Sequence, residues 1–311
     1  MSARNARTVG VGIAAGAVVG AVLLSALARR RSGAAGLPGV ETAAHLDAAR
    51  AFNRSSALLA LSVLADSGIE HYRGSFANKA MYTPLISSLL SLAAGLHGGA
   101  DSVARKHPVR NVVYLTAASA GIAGTGFHLY NITKRPGGIS WHNLFYAAPI
   151  GAPMALLLSG ALGAVAERLR DEPAVEPQLF GMQAGRALGL AAAAGLAGTV
   201  GEVALLHFRG AFQNPAMYAP VTAGPLACAL LTHAALAAPR ERWFTRVWLR
   251  ITAALGFIGV GFHARGVARN QGGWRNWSQN VLNGPPLPAP PSFSALALAG
   301  LAALRLRETE K

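Results

Sequence analysis

Long apolar runs separated by short polar caps organise the chain. They fall at 9–27, 55–69, 82–96, 111–130, 144–164, 187–206, 218–238, 247–262 and 287–304. Most approach the roughly 20 residues that an α-helix needs to cross a bilayer. The runs at 55–69 and 82–96 are short and lengthen into their flanks through Ala51 and Asn78. Apolar residues are continuous rather than alternating, which favours helix over strand. Backbone groups at membrane depth must find partners within the protein, which again selects helices. The pattern predicts an all-α integral membrane protein with about nine transmembrane helices. The first run follows Arg4 and Arg7 and leads straight into Arg29, Arg30 and Arg31. No small-residue cleavage site precedes that cluster, so the run reads as a retained helix rather than a signal peptide.

The runs after the first fall into two series that resemble each other. His71, Arg73, Gly74, Phe76, Asn78, Met81, Tyr82 and Pro84 recur in order as His207, Arg209, Gly210, Phe212, Asn214, Met217, Tyr218 and Pro220. Gly124, Gly126, Phe127 and His128 recur as Gly259, Gly261, Phe262 and His263, and Gly137-Gly138 as Gly272-Gly273. Pro149, Ala152 and Pro153 recur as Pro286, Ala289 and Pro290. Self-similarity at one spacing marks a duplicated unit. The expected organisation is an N-terminal helix and linker over 1–50, a four-helix repeat over 51–170, and a second over 171–311. An even number of spans per unit makes the repeats parallel rather than inverted.

Composition supports a bilayer as solvent: 52% of residues are hydrophobic and 13% charged, against about 25% charged in soluble domains. The net charge of +15 does not indicate nucleic acid, because the basic residues sit in short caps between apolar runs. Most of them, including Arg105, Lys106, Arg110, Arg168, Arg170, Arg240, Arg242, Arg246, Arg305 and Arg307, fall on the side of Arg29–Arg31. The positive-inside rule then puts that side in the cytoplasm, the N-terminus outside and the C-terminus inside, in a bacterial inner (plasma) membrane. The single cysteine, Cys228, excludes an intrachain disulfide and any cysteine-based metal site.

The matched motifs gather at the outer face, whereas the inner loops 104–110 and 239–246 share little. His71 with His128, and His207 with His263, come from the outer ends of helices that run the same way. Facing histidines on a helical bundle are a means of holding b-type haem. Asp66 and Glu202 occupy matched positions and would extend each pair to a carboxylate-plus-two-histidine set for a redox metal. Interfacial pairing of these acids with Arg73 and Arg209 is the plainer account. Arg73 and Arg209 suit carboxylates, including haem propionates, or lipid headgroups. Gly74 and Gly210 suggest tight turns, and Asn78 and Asn214 helix caps. Tyr82 and Tyr218, beside Met81 and Met217, fit an aromatic belt, as do Trp141, Tyr146, Trp274 and Trp277. The Gly-x-Gly pairs at Gly124 and Gly259 are too short for a dinucleotide loop and point to close helix packing. Phosphate-binding loops, nucleophile elbows and His-Glu-x-x-His are absent from the sequence, which removes support for soluble kinase or hydrolase chemistry.

Three functions suit this pattern. One is a haem- or metal-binding subunit of a redox system, with a periplasmic or membrane redox partner. Another is a small-solute transporter or channel lined by Asp66 and Glu202. The third is a non-catalytic scaffold that docks a partner through its outer loops. Whether the chain is an enzyme stays open at this level.

Overall fold

The structure, a computed structural model, describes residues 40–146, 149–171 and 178–310. The run at 9–27 and the Arg29–Arg31 cluster lie outside them. In chain order come α1 (Val40–Arg73), α2 (Thr83–Ala100), α3 (Pro108–Thr133), the short α4 (Trp141–Tyr146) and α5 (Gly151–Asp171). A minimal antiparallel hairpin follows, β1 (Gln178–Leu179) with β2 (Met182–Gln183). Then come α6 (Ala184–Arg209), α7 (Tyr218–Leu236), α8 (Trp243–Arg269), the short α9 (Trp277–Asn283) and α10 (Pro291–Thr309).

Two expected helices change shape. The apolar run at 144–164 is not one helix: α4 stops at Tyr146 and α5 starts at Gly151. Pro149 lies between them. Proline lacks an N–H and biases the residue before it away from helix. The run at 287–304 also starts late, at Pro291, after Pro285, Pro286, Pro288 and Pro290. Conversely, α1 reaches 34 residues and runs unbroken through the expected boundary at residue 51.

Among the described residues, Pro108–Thr133, Gly151–Arg170, Ala184–Arg209, Pro215–Leu236 and Trp243–Arg269 are helices long and apolar enough to cross a membrane. In four of these, 28% or less of the most apolar window is buried, so most of their apolar surface faces outward. Val112, Leu226, Ile251, Phe257 and Ile258 are exposed on such faces. Apolar surface of that extent needs lipid or a partner as solvent.

Packing follows one scheme in each half. Helix α1 packs on α2 and α5, and α3 packs on the same two. Helix α6 packs on α7 and α10, and α8 packs on the same two. The halves meet chiefly where α10 runs along α1. Small residues permit this closeness. A Cβ on Gly121 or Gly256 would strike the backbone of α5 or α10. Serines join helices where lipid offers no partner: Ser159 of α5 meets Ser56 of α1 and, at 2.9 Å, Ser91 of α2.

The two ends of the molecule differ in tightness. Buried residues of α6 run from Ala184 to Leu196 and then cease. Those of α3 run from Arg110 to Gly121, with only Ile132 beyond, and those of α8 from Thr245 to Gly256, with only Val267 beyond. In α1 none follows Ser67. The closed end is held by arginines. Arg110 binds Glu167 through Nε at 2.8 Å and Asp101 through Nη1 at 2.7 Å. Glu167, fully buried, also accepts the His107 amide at 2.8 Å. Arg170 donates to the carbonyls of Gly98, Asp101 and Val103 around the C-terminus of α2. Arg54 donates to Gly99 there at 3.0 Å. Positive charge at a helix C-terminus satisfies free carbonyls and opposes the helix dipole. In the second half Arg307 donates to Ala237 at the end of α7 and binds Glu310 at 2.8 Å, while Arg246 pairs with Glu308. Arg110, Arg170 and Arg307 are therefore buried structural groups, although the sequence places them with the loop charges. Arg170 and Arg307 also play matched parts at an end whose loops share little sequence.

Removing one partner from a buried ion pair leaves the other uncompensated, at about 3–5 kcal/mol. Glu167→Ala should therefore lower stability by about that amount, and Glu308→Ala, in a partly exposed pair, by about 1 kcal/mol or less. Unfolding in mixed micelles measures both. Burial alone would push the Asp101 carboxyl up, but the Val103 amide and the Arg110 guanidinium, with Arg170 behind it, hold it below the usual carboxylate range. Its contribution is therefore complete at neutral pH and fades as pH falls through that lowered value. Asp101→Asn should flatten this part of the acid profile in the same unfolding assay.

Candidate functional site

The open end is built from two local devices, each present twice. The first is the turn after α1 and α6. Ser75 and Phe76 adopt φ of 54° and 46°, and Ala211 and Phe212 adopt the same values. The chain therefore reverses on non-glycine residues in the left-handed region. This corrects the expectation that Gly74 and Gly210 supply the turn's backbone freedom. Gly210 has φ of −81°, and Gly74 is not among the residues of positive φ. These glycines instead make room for a methionine: a Cβ on Gly74 would lie 2.9 Å from Met81 Cε, and one on Gly210 3.0 Å from Met217 Cε. Asn78 and Asn214 accept the amides of Ala80 and Ala216 at 3.0 and 2.9 Å and cap single 3-10 turns leading into α2 and α7. Phe76 stacks on Tyr82 at 4.4 Å, and Phe212 on Tyr218 at 4.6 Å.

That turn fixes the first histidine of each pair. His71 Nδ1–H donates to the Met81 carbonyl at 2.7 Å, and His207 Nδ1–H to the Met217 carbonyl at 2.8 Å. A carbonyl only accepts, so Nδ1 carries a proton, and in the neutral ring Nε2 is the nitrogen left with a lone pair.

The second device is the proline-rich segment before α5 and α10. His128 Nδ1–H donates to the Pro149 carbonyl at 2.5 Å, and His263 Nδ1–H to the Pro286 carbonyl at 2.7 Å. The helix breaks that depart from the expected continuous runs thus supply the carbonyls that orient these histidines. Gly124 and Gly259 let the prolines close in, since a Cβ there would lie 3.1 Å from Pro153 and 2.8 Å from Pro290. Packing accounts for these two glycines only: nothing lies within 4 Å of a Cβ on Gly126 or Gly261. Upstream, Gly137-Gly138 and Gly272-Gly273 turn at positive φ. Asn143 locks the first turn by donating to Pro136 and Gly138, and Asn280 locks the second by donating to Gln271 and Gly273. Sequence reasoning missed both asparagines. A shift of register between the copies hides the match, though each asparagine follows its Gly-Gly pair by a few residues.

His71 and His128 are close enough to interact electrostatically, as are His207 and His263. The acids take a different position. Asp66 lies near enough to Glu202 for the two like charges to repel across the halves. Glu202 reaches the first turn of α5, where it accepts the Gly151 amide and fills the space of a Gly151 Cβ. A carboxylate at a helix N-terminus complements the free amides there. Among the described residues, no group of three or more His, Cys, Asp or Glu side chains is placed to hold a metal ion. The arginines are engaged elsewhere: Arg73 binds Glu70 at 2.7 Å, and Arg209 lies 5.2 Å from the centre of the Tyr146 ring. Trp141, Tyr146, Trp274 and Trp277 are exposed at this end.

Left-handed φ at a residue with a Cβ costs about 1–2 kcal/mol, so Ser75→Gly and Ala211→Gly should leave stability unchanged or raise it by about 1 kcal/mol. Asn78→Ala and Asn214→Ala should each lower it by about 1 kcal/mol. Thermal unfolding of the four variants decides. Comparison with protein families, with curated proteins and with solved structures finds no match to this chain.

Proposed function

We propose that the chain is a polytopic membrane protein of about nine spans, with an N-terminal span and two parallel four-helix units over 51–170 and 171–311, and that each unit binds one b-type haem between its two histidines. The observation that carries this reading is the shared hydrogen-bonding state of four imidazoles. Each donates Nδ1–H to a backbone carbonyl. Imidazoles that ligate iron do so through a neutral nitrogen, with the other N–H held by an outer partner that fixes ring and tautomer. Four histidines in that state, paired at the loosely packed end of the molecule, suit bis-imidazole ligation better than three-ligand metal binding. Bound haem would supply one-electron exchange. The residues of the chain orient the ligands, and Arg73 and Arg209 would exchange Glu70 and the Tyr146 ring for propionate carboxylates. The histidine end would face outward from a bacterial inner membrane and meet a membrane or periplasmic redox partner.

The nearness of Asp66 and Glu202 favours a second reading, a small-solute transporter or channel with these two acids along its path. Uptake into liposomes that is lost in Asp66→Asn and Glu202→Gln would replace the haem reading with this one.

The haem reading is tested on protein made with full haem supply. The expected spectrum has a Soret band of low-spin haem, with one haem per unit. His128→Ala and His263→Ala should each remove half of it. His128→Met should keep the haem and raise its potential, because a thioether ligand favours the reduced state. Protein without a Soret band and without bound metal overturns the proposal.

A further inference from the structure

The arginine end carries a feature that the histidine site does not use. An open hollow of about 420 Å³ lies where the α2–α3 connection leaves the helices, lined by His97, Asp101, Val103, Arg105, Lys106, His107 and Pro108. Its histidines are in the opposite state from those of the outer pairs. His97 Nδ1 faces Arg110 Nη1 at 3.2 Å, and His107 Nδ1 accepts the Arg110 amide at 3.4 Å. A guanidinium and an amide only donate, so both Nδ1 atoms accept and both rings carry their proton on Nε2. The two imidazoles meet edge to face, 5.6 Å apart, and the nitrogen each has left is a donor.

Charge agrees with that polarity. Arg110 and Arg170 are matched by Asp101 and Glu167. Both carboxylate oxygens of Asp101 are taken, by the Val103 amide and by Arg110. Arg105 and Lys106 have no hydrogen-bond or ion-pair partner among the described residues and leave the hollow positive. Val103 in the lining is exposed, as are Leu96 and Val109 next to His97 and Pro108 in the chain. Two free cations, two N–H donors and an apolar margin at the mouth of membrane-type helices match a phosphate that carries acyl chains. Basic pockets between helices at the membrane surface bind anionic headgroups in this way. The second half lacks the arrangement, because Arg242 stands at the N-cap position that His107 fills in the first half.

We infer that this hollow binds the phosphate of one anionic phospholipid, through Arg105, Lys106 and the Nε2–H groups of His97 and His107. The inference rests on the membrane reading, which retention of the protein in carbonate-washed membranes tests separately. The full chain is purified in non-ionic detergent. Phosphatidylglycerol, phosphatidylcholine or inorganic phosphate is then added, with the thermal midpoint and lipid retention in native mass spectrometry as readouts. Phosphatidylglycerol should raise the midpoint and remain bound, and the other two at equal concentration should not. Arg105→Gln with Lys106→Gln should leave the lipid-free midpoint unchanged and weaken phosphatidylglycerol binding by roughly fivefold for each cation removed. An equal shift with phosphatidylcholine, no shift with any additive, or full affinity in the double variant overturns the site. The same shift with inorganic phosphate alone overturns the lipid as its source.

Discussion

Arg110 and Glu167 are buried together where α2, α3 and α5 converge, and the remainder of the first half is organised around them. A guanidinium away from water needs acceptors on every side, and here Glu167, Asp101 and His97 provide them. Arg170 applies the same requirement to the carbonyls at the end of α2. Misplacing any of these helix ends would strand a charge, so their relative positions are tightly constrained. Arg307, Glu310 and Gln183 serve the second half in a similar way. With one end of the helices clamped, the other can stand apart without loss of the fold.

That division of labour separates stability from side-chain orientation. The closed end supplies stability through ion pairs and small-residue contacts. The open end supplies orientation through local hydrogen bonds: a left-handed turn, a capped 3-10 turn and a proline segment, each aimed at an imidazole. None of these devices depends on a filled core around the histidines. The same residue type then serves two chemistries within one chain. Histidines that donate from Nδ1 to carbonyls offer a lone pair at Nε2, and those that accept at Nδ1 offer an N–H. The backbone or side-chain partner, not the imidazole, decides which ligand the ring suits.

Much of this was legible in the residues. Run lengths and composition gave the all-α class and the membrane-type helices. Matched motifs picked out His71, His128, His207 and His263, and Asn78 and Asn214 as cap residues, because those patterns are local and periodic. The glycines were harder to read. Gly74 and Gly210 looked like turn residues, yet their role is to clear space for Met81 and Met217, seven residues further on, rather than to supply φ. The buried arginines were counted as loop charges, because a residue beside an apolar run carries no mark of what will fold over it.

The sequence by itself determined the all-α class, the apolar helices of membrane type and the chemistry available along each half, since hydrophobic period, proline and charge act on their own neighbourhood. Only the tertiary structure decided which nitrogen of each histidine donates, that Glu202 meets the first turn of α5, and that Glu167 is the centre of an ion cluster. Those outcomes depend on partners brought together from distant parts of the chain, through hydrogen bonds and burial that no local pattern encodes.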